Sequence, residues 1–197
     1  MRVLVACEES QVVTAAFRER GHDAFSCDVL AASGGHPEWH LRRDVRDVLA
    51  ERQPWDLLIA FPPCDHLAVS GARWFDGKRA DGRQAEGIGL FMALANAEVP
   101  RVCIENPVGI MSTVWRRPDQ IVQPWWFGDE AQKTTCLWLR CLAPLLATEV
   151  VGRGEIQVVR SGKRLPAWYS NAPRKSRKVV RSRTFPGIAA AMAAQWG

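Results

Sequence analysis

The chain has 197 residues, 47% of them hydrophobic and 24% charged, with a net charge of +5; this suits one soluble globular domain with a mild bias toward polyanionic partners. No apolar run reaches the ~18 residues of a membrane-spanning helix, and the opening Met1-Arg2-Val3-Leu4-Val5 reads as a strand rather than a signal peptide. The six cysteines, at 7, 27, 64, 103, 136 and 141, form no CxxC pair, which speaks against a zinc site or a disulfide framework and for a reducing cytoplasm where thiols stay free.

In chain order, residues 2–6 form an apolar strand and Cys7-Glu8-Glu9-Ser10-Gln11 a polar turn. Ser10 is suited to cap a helix over 12–20, and Gly21 ends it. A second strand, 23–27, closes on Asp28. An acid at the end of the second strand of a βαβ unit is placed to bond ribose hydroxyls. The glycine-rich loop that usually accompanies such an acid is absent; the CEESQ turn stands in its place. Residues 31–40 read as a loop, and Asp44-Val45-Arg46-Asp47 opens a short helix reaching Arg52.

Residues 57–61 form a short buried strand that stops at Pro62-Pro63, since proline brings no N–H to a sheet ladder. Cys64 follows directly, at the strand end where open α/β sheets bind ligands. His66 lies two residues on, within the same turn, and is badly placed to serve Cys64 as a base. The glycines and charges of 70–83 predict a mobile loop. A helix over 84–97 leads to a strand over 102–104, which ends in Glu105-Asn106-Pro107. Two neighbouring strands thus bring a thiol and a carboxyl to one edge of a sheet.

Residues 108–118 are irregular, with room for a short helix, and 123–128 are aromatic and proline-marked. Gln132-Lys133-Thr134-Thr135 precedes a strand over 136–139. A second apolar run falls within 141–154, and 152–169 reads as a hairpin or extended arm. The stretch 174–183 holds six cations; within it Arg174, Lys175, Arg177 and Lys178 are the expected contacts to a nucleic acid. Pro186 suits the first turn of a closing helix over 188–196.

Phe61-Pro62-Pro63-Cys64 resembles the Pro-Cys motif of the cytosine carbon-5 DNA methyltransferases, and Glu105-Asn106-Pro107 their Glu-Asn-Val motif. Order and strand-end context agree, and over most of its length the chain is similar to small phage-type members of that family. The resemblance implies a Rossmann-like α/β fold with a mostly parallel sheet and helices on both faces, in a single catalytic domain over 1–197. It implies Cys64 as a nucleophile at carbon 6 of cytosine, with Glu105, Asn106 and Lys133 completing the catalytic group. It implies S-adenosylmethionine, or a modified form of it, as donor, held by Glu8, Glu9, Ser10, Asp28, Asp44 and Pro62, with Asp44 reaching the adenine amino group. It further implies DNA or a free deoxycytidine nucleotide as partner, in a phage-infected or prophage-carrying bacterial cell; a catalytically silent nucleic-acid-binding protein is the remaining alternative. The family's separate target-recognition domain has little room between Pro107 and Thr184.

Overall fold

The computed structural model describes residues 1–173, 180 and 182–197. These residues contain nine strands: β1 (Arg2–Ala6), β2 (Asp23–Asp28), β3 (His40–Arg42), β4 (Leu57–Ala60), β5 (Arg101–Asn106), β6 (Gln120–Val122), β7 (Thr135–Arg140), β8 (Ile156–Val158) and β9 (Arg164–Pro166). Their α-helices are α1 (Val12–Glu19), α2 (Val45–Ala50), α3 (Phe75–Ala80), α4 (Arg83–Ala95), α5 (Met111–Val114), α6 (Ala167–Ser170) and, at the end of the chain, α7 (Pro186–Trp196).

Seven strands make one sheet in the order β3-β2-β1-β4-β5-β7-β6, and β8 and β9 form a separate hairpin. From β3 to β5 all neighbours are parallel, whereas β7 runs antiparallel to both β5 and β6. Period-two side-chain alternation splits the core into two layers. Val3, Val5, Leu57 and Ile59 pack with α1 (Val13, Phe17) and α7 (Ile188, Met192, Trp196). Leu4, Ala6, Leu58 and Ala60 face the other way, onto α2 (Val45, Val48) and α4 (Phe91, Leu94). Both faces are covered, so β1 after Arg2 and all of β4 are apolar instead of alternating with polar residues. Each large aliphatic side chain among them adds about 1.5–3 kcal/mol by burial, and Leu58→Ala in the middle of β4 should cost roughly 2–5 kcal/mol. This is the Rossmann-like α/β architecture, a mostly parallel sheet with helices on both faces, that the sequence leads one to expect.

Register sets where the chemistry falls. Ala6 pairs with both Cys27 and Ala60, and Ala60 pairs with Ile104. The residues that follow, Cys7, Asp28, Phe61 and Glu105, therefore line one edge of the sheet. Antiparallel β7 starts at that same edge, with Leu137 opposite Glu105 and Cys136 opposite Asn106. The strand order reverses between β1 and β4, the crevice where such sheets take ligands.

The stretch predicted as a mobile loop, 70–83, is instead largely helical: a 3-10 turn over Val69–Trp74, then α3, then the start of α4. Two side chains fix it. Phe75 is buried, and Lys78 is buried beneath the Cys64 turn, where its Nζ donates to the Asp65 carbonyl. Short strands β3 and β6 also escape the sequence, being only three residues each and lacking an apolar run. No helix among the described residues is long and apolar enough to cross a membrane.

Candidate active site

The Cys64 turn and the end of β5 are built as one piece. Asn106, buried, donates from Nδ2 to the Pro62 carbonyl at 2.8 Å. Farther along, Ile110 N donates to Leu67 O (2.9 Å) and Val69 N to Val108 O (3.0 Å). Gly109 permits this approach: a Cβ there would lie 2.5 Å from the Leu67 carbonyl oxygen. The turn itself is closed by Leu67 N and Ala68 N donating to Cys64 O. Pro62 is thereby buried as a splint between the two loops.

Glu105 and Lys133 meet beside this turn, Nζ to Oε1 at 3.9 Å, with side chains 13% and 19% exposed. Lys133 Nζ also donates to the Arg183 carbonyl at 3.4 Å. No described residue hydrogen-bonds the Glu105 carboxyl, although a carboxyl so nearly buried ordinarily finds a donor. Burial pushes the Glu105 pKa up, and only Lys133 opposes it. The Cys64 thiol is pushed up as well, first by burial, then by Glu105 and Asp65, with Lys133 again pulling down. A proton on Glu105 removes one of the two carboxylates that disfavour the thiolate, so the two groups are coupled. A small cleft opens here, lined by Glu105, Lys133, Thr135, Thr184, Phe185 and Ile188. Asn106 Oδ1 is a further buried acceptor without a donor among the described residues.

At the other end of the edge, the turn after β1 works without glycine. Cys7 and Gln11 both take left-handed backbone, φ 57° and 59°. Non-glycine residues meet a cost of about 1–2 kcal/mol there, and the surroundings hold Gln11 in place. Its buried side chain donates to the His36 carbonyl (2.7 Å) and accepts from His36 N (3.1 Å). Gly34 lies against it so closely that a Cβ would sit 2.5 Å from Ser10 O.

The acids of this end have different fates. Glu8, not Ser10, caps α1: its carboxylate accepts from Val13 N (2.6 Å), Thr14 N (3.2 Å) and Thr14 Oγ1 (2.7 Å). Gln11 holds the N-cap position but bonds elsewhere, so a buried carboxylate from three residues earlier takes over the exposed helix N–H groups. Burial drives the Glu8 pKa up to about 7. Glu9 accepts from Ser33, through its carbonyl from N at 2.7 Å and through its carboxylate from Oγ. Asp44 caps α2 by accepting from Arg46 N and is paired with the Arg46 guanidinium, which holds its pKa below the usual range. Asp28 differs: Oδ1 accepts from Leu30 N at 2.9 Å, and among the described residues Oδ2 has no partner. Val29 and Leu30 beside it are 65% and 60% exposed. A carboxylate oxygen next to bare aliphatic surface fits a ribosyl-purine, whose diol donates and whose ring covers apolar carbon.

Arg174, Lys175, Arg177 and Lys178 lie outside the described residues. Arg183, just beyond them, donates to Ser33 Oγ at 3.3 Å, tying the approach to α7 to the loop over the β1 turn. Nothing in the residue pattern signals Lys78 as a buried side chain, the Gln11–His36 clamp, or Trp168, whose Nε1 donates to Gln132 O beside Lys133. A glycine set against an apolar residue across two loops, as Gly109 is against Leu67, is invisible without the fold.

No family model matches the chain, and no curated protein does. Among solved structures, it is similar to a protein described as a prophage-encoded DNA modification methyltransferase from E. coli (12% identity, TM-score 0.46, 71% of this chain and 46% of that one). It is also similar to a substituted DNMT2 from Spodoptera frugiperda (16% identity, TM-score 0.48, 77% of this chain and 54% of that one). The chain spans about half the length of these structures.

Proposed function

We propose that residues 1–197 act as one catalytic domain, an S-adenosylmethionine-dependent transferase that methylates carbon 5 of cytosine in DNA through a covalent Cys64 adduct. The observation that carries this reading is the Glu105 carboxyl: nearly buried, free of hydrogen bonds from the described residues, and fixed beside the Cys64 turn. Burial favours the neutral form of this carboxyl, and a protonated carboxyl has one O–H donor and one acceptor. Cytosine shows the complementary pair, an acceptor at nitrogen 3 and a donor at its exocyclic amine.

The residues then divide the work. The Cys64 thiolate adds to carbon 6, and the displaced electron pair moves toward nitrogen 3, where the Glu105 proton meets it. Lys133 stabilises the thiolate before attack and the Glu105 carboxylate after its proton has gone. Asn106 holds Pro62, and with it the Cys64 turn, at the height of the base. The donor, when bound, supplies an electrophilic methyl group for carbon 5. Loss of the carbon 5 proton to a base then restores the double bond and expels Cys64. Asp28, with Val29 and Leu30, is the best-fitting side-chain group for the donor's ribose and purine, and the backbone of Cys7–Ser10 borders it; Glu8, Glu9 and Asp44 support it indirectly, since their carboxylates are engaged within the protein. Arg174, Lys175, Arg177 and Lys178 are assigned to DNA phosphates.

The test is to incubate the protein with labelled donor and, separately, duplex DNA, single-stranded DNA and deoxycytidylate, and to identify the product by mass spectrometry. The reading predicts 5-methylcytosine in DNA. Product on deoxycytidylate alone would transfer the same chemistry to a free nucleotide, and absence of product on every acceptor would leave the scaffold without this activity.

A further inference from the structure

The β8–β9 hairpin is rooted at the rim of the Glu105–Lys133 cleft. Its root is fastened one to three residues from Lys133. Gly154, at φ 75°, passes so close to the preceding loop that a Cβ there would collide with the Glu130 carbonyl oxygen. Trp168, on α6 after β9, donates from Nε1 to Gln132 O at 3.3 Å and packs edge-on against Phe185, with ring centres 5.2 Å apart. Phe185 is itself a wall of the cleft. Ala167 N to Glu155 O (2.8 Å) and Ser170 Oγ to Gln157 Oε1 (2.9 Å) brace the base.

The tip is a defined turn: Val159 N donates to Lys163 O and Gly162 N to Val159 O, with Gly162 at φ 74°. Arg160, Lys163 and Arg164 surround it, all exposed, and no described acid forms an ion pair with any of them. Between root and tip, Ile156 and Val158 are 38% and 70% exposed. At ~3.3 Å per residue the ribbon from Glu155 to its tip is roughly 15 Å long. A narrow two-stranded ribbon with cations at its tip and apolar side chains on its flank matches a DNA major groove, about 12 Å wide and lined by phosphates and thymine methyl groups.

We propose that this hairpin is a contact element for duplex DNA, inserted in the major groove next to the cleft, with Arg160, Lys163 and Arg164 on phosphates. The proposal rests on the reading of the cleft as a DNA site, and its test reads binding rather than turnover.

The full chain and the R160A/K163A/R164A variant are titrated with a labelled duplex oligonucleotide, and with its single strand, at several salt concentrations. The variant should bind the duplex at least roughly tenfold more weakly near 0.1 M salt, with the salt slope reduced by about 0.9 for each phosphate no longer neutralised. Val158→Ser, which leaves the charge unchanged, should weaken the duplex and spare the single strand. Unaltered duplex affinity and slope in a triple variant of unchanged melting temperature would overturn the proposal. Equal losses on duplex and single strand in both variants would overturn groove insertion. Either result can occur whether or not cytosine is methylated, so it stays separate from the fate of the catalytic assignment.

Discussion

The two ends of the sheet edge treat their acids in opposite ways. Around β1 and β2, Glu8 caps α1, Glu9 takes Ser33 and Asp44 is paired with Arg46, leaving Asp28 with an unengaged oxygen. Around β4 and β5, an amide side chain, Asn106, does the fastening, and Glu105 and Cys64 are left for other chemistry. An acid that is hydrogen-bonded on all sides stabilises a loop; one that is buried and left without donors is poised for a ligand. Substitutions at the two ends should therefore separate into losses of turnover and losses of stability.

The largest effect is expected at Cys64. Cys64→Ser should lower turnover by about a thousandfold or more, since a hydroxyl has no accessible anion near neutral pH, while the melting temperature barely changes; near-normal turnover would end the nucleophile assignment. Glu105→Gln comes next, with kcat down roughly 10²–10³-fold and donor affinity, measured by calorimetry, unaffected. Equal losses in both would make Glu105 structural. Rising pH adds Cys64 thiolate while removing neutral Glu105, and burial raises both pKa values, so the wild-type rate should stop climbing as pH passes the Glu105 value, whereas that of Glu105→Gln should keep climbing.

Glu8 should show the contrasting behaviour. Its folded pKa, about 7, lies above the ordinary 4.5. The folded state thus holds the proton more tightly than the unfolded chain does. Stability from this group is full below the lower value and is lost as pH rises through the upper one, by roughly 3 kcal/mol in all. Denaturant melts of wild type and Glu8→Gln between these pH values check it: the wild type should lose stability with rising pH and the variant should not. The smallest pair compares two acids of the same end. Asp44→Ala should cost about 1 kcal/mol of stability by removing a helix cap and leave donor affinity intact. Asp28→Ala should cost little stability but weaken donor binding roughly tenfold or more, as expected when a charged hydrogen bond is removed. Reversal of that pattern would dissolve the contrast between the engaged and unengaged acids.

Much of this was legible in the chain. The apolar runs of β1 and β4 announce strands buried on both faces, and Pro62-Pro63 marks where pairing ends, so Cys64 and Glu105 could be set at one edge. Side-chain commitments were not legible. Whether Glu8 points at a helix or at a ligand depends on Gln11 taking left-handed backbone, which its sequence neighbours do not encode. The 70–83 stretch looked loose because its glycines and charges are frequent, yet Phe75 and the buried Lys78 hold it down against a turn that lies before it in the chain.

The central claim, that Cys64 attacks the base while Glu105 holds it, is met most directly by trapping. Duplex DNA carrying 5-fluorocytosine, incubated with donor, blocks the final elimination because fluorine cannot leave as a cation in place of the carbon 5 proton. Digestion and mass spectrometry should then find the methylated, fluorinated base attached to the peptide containing Cys64. No covalent complex, or one carried by another cysteine, would contradict the account.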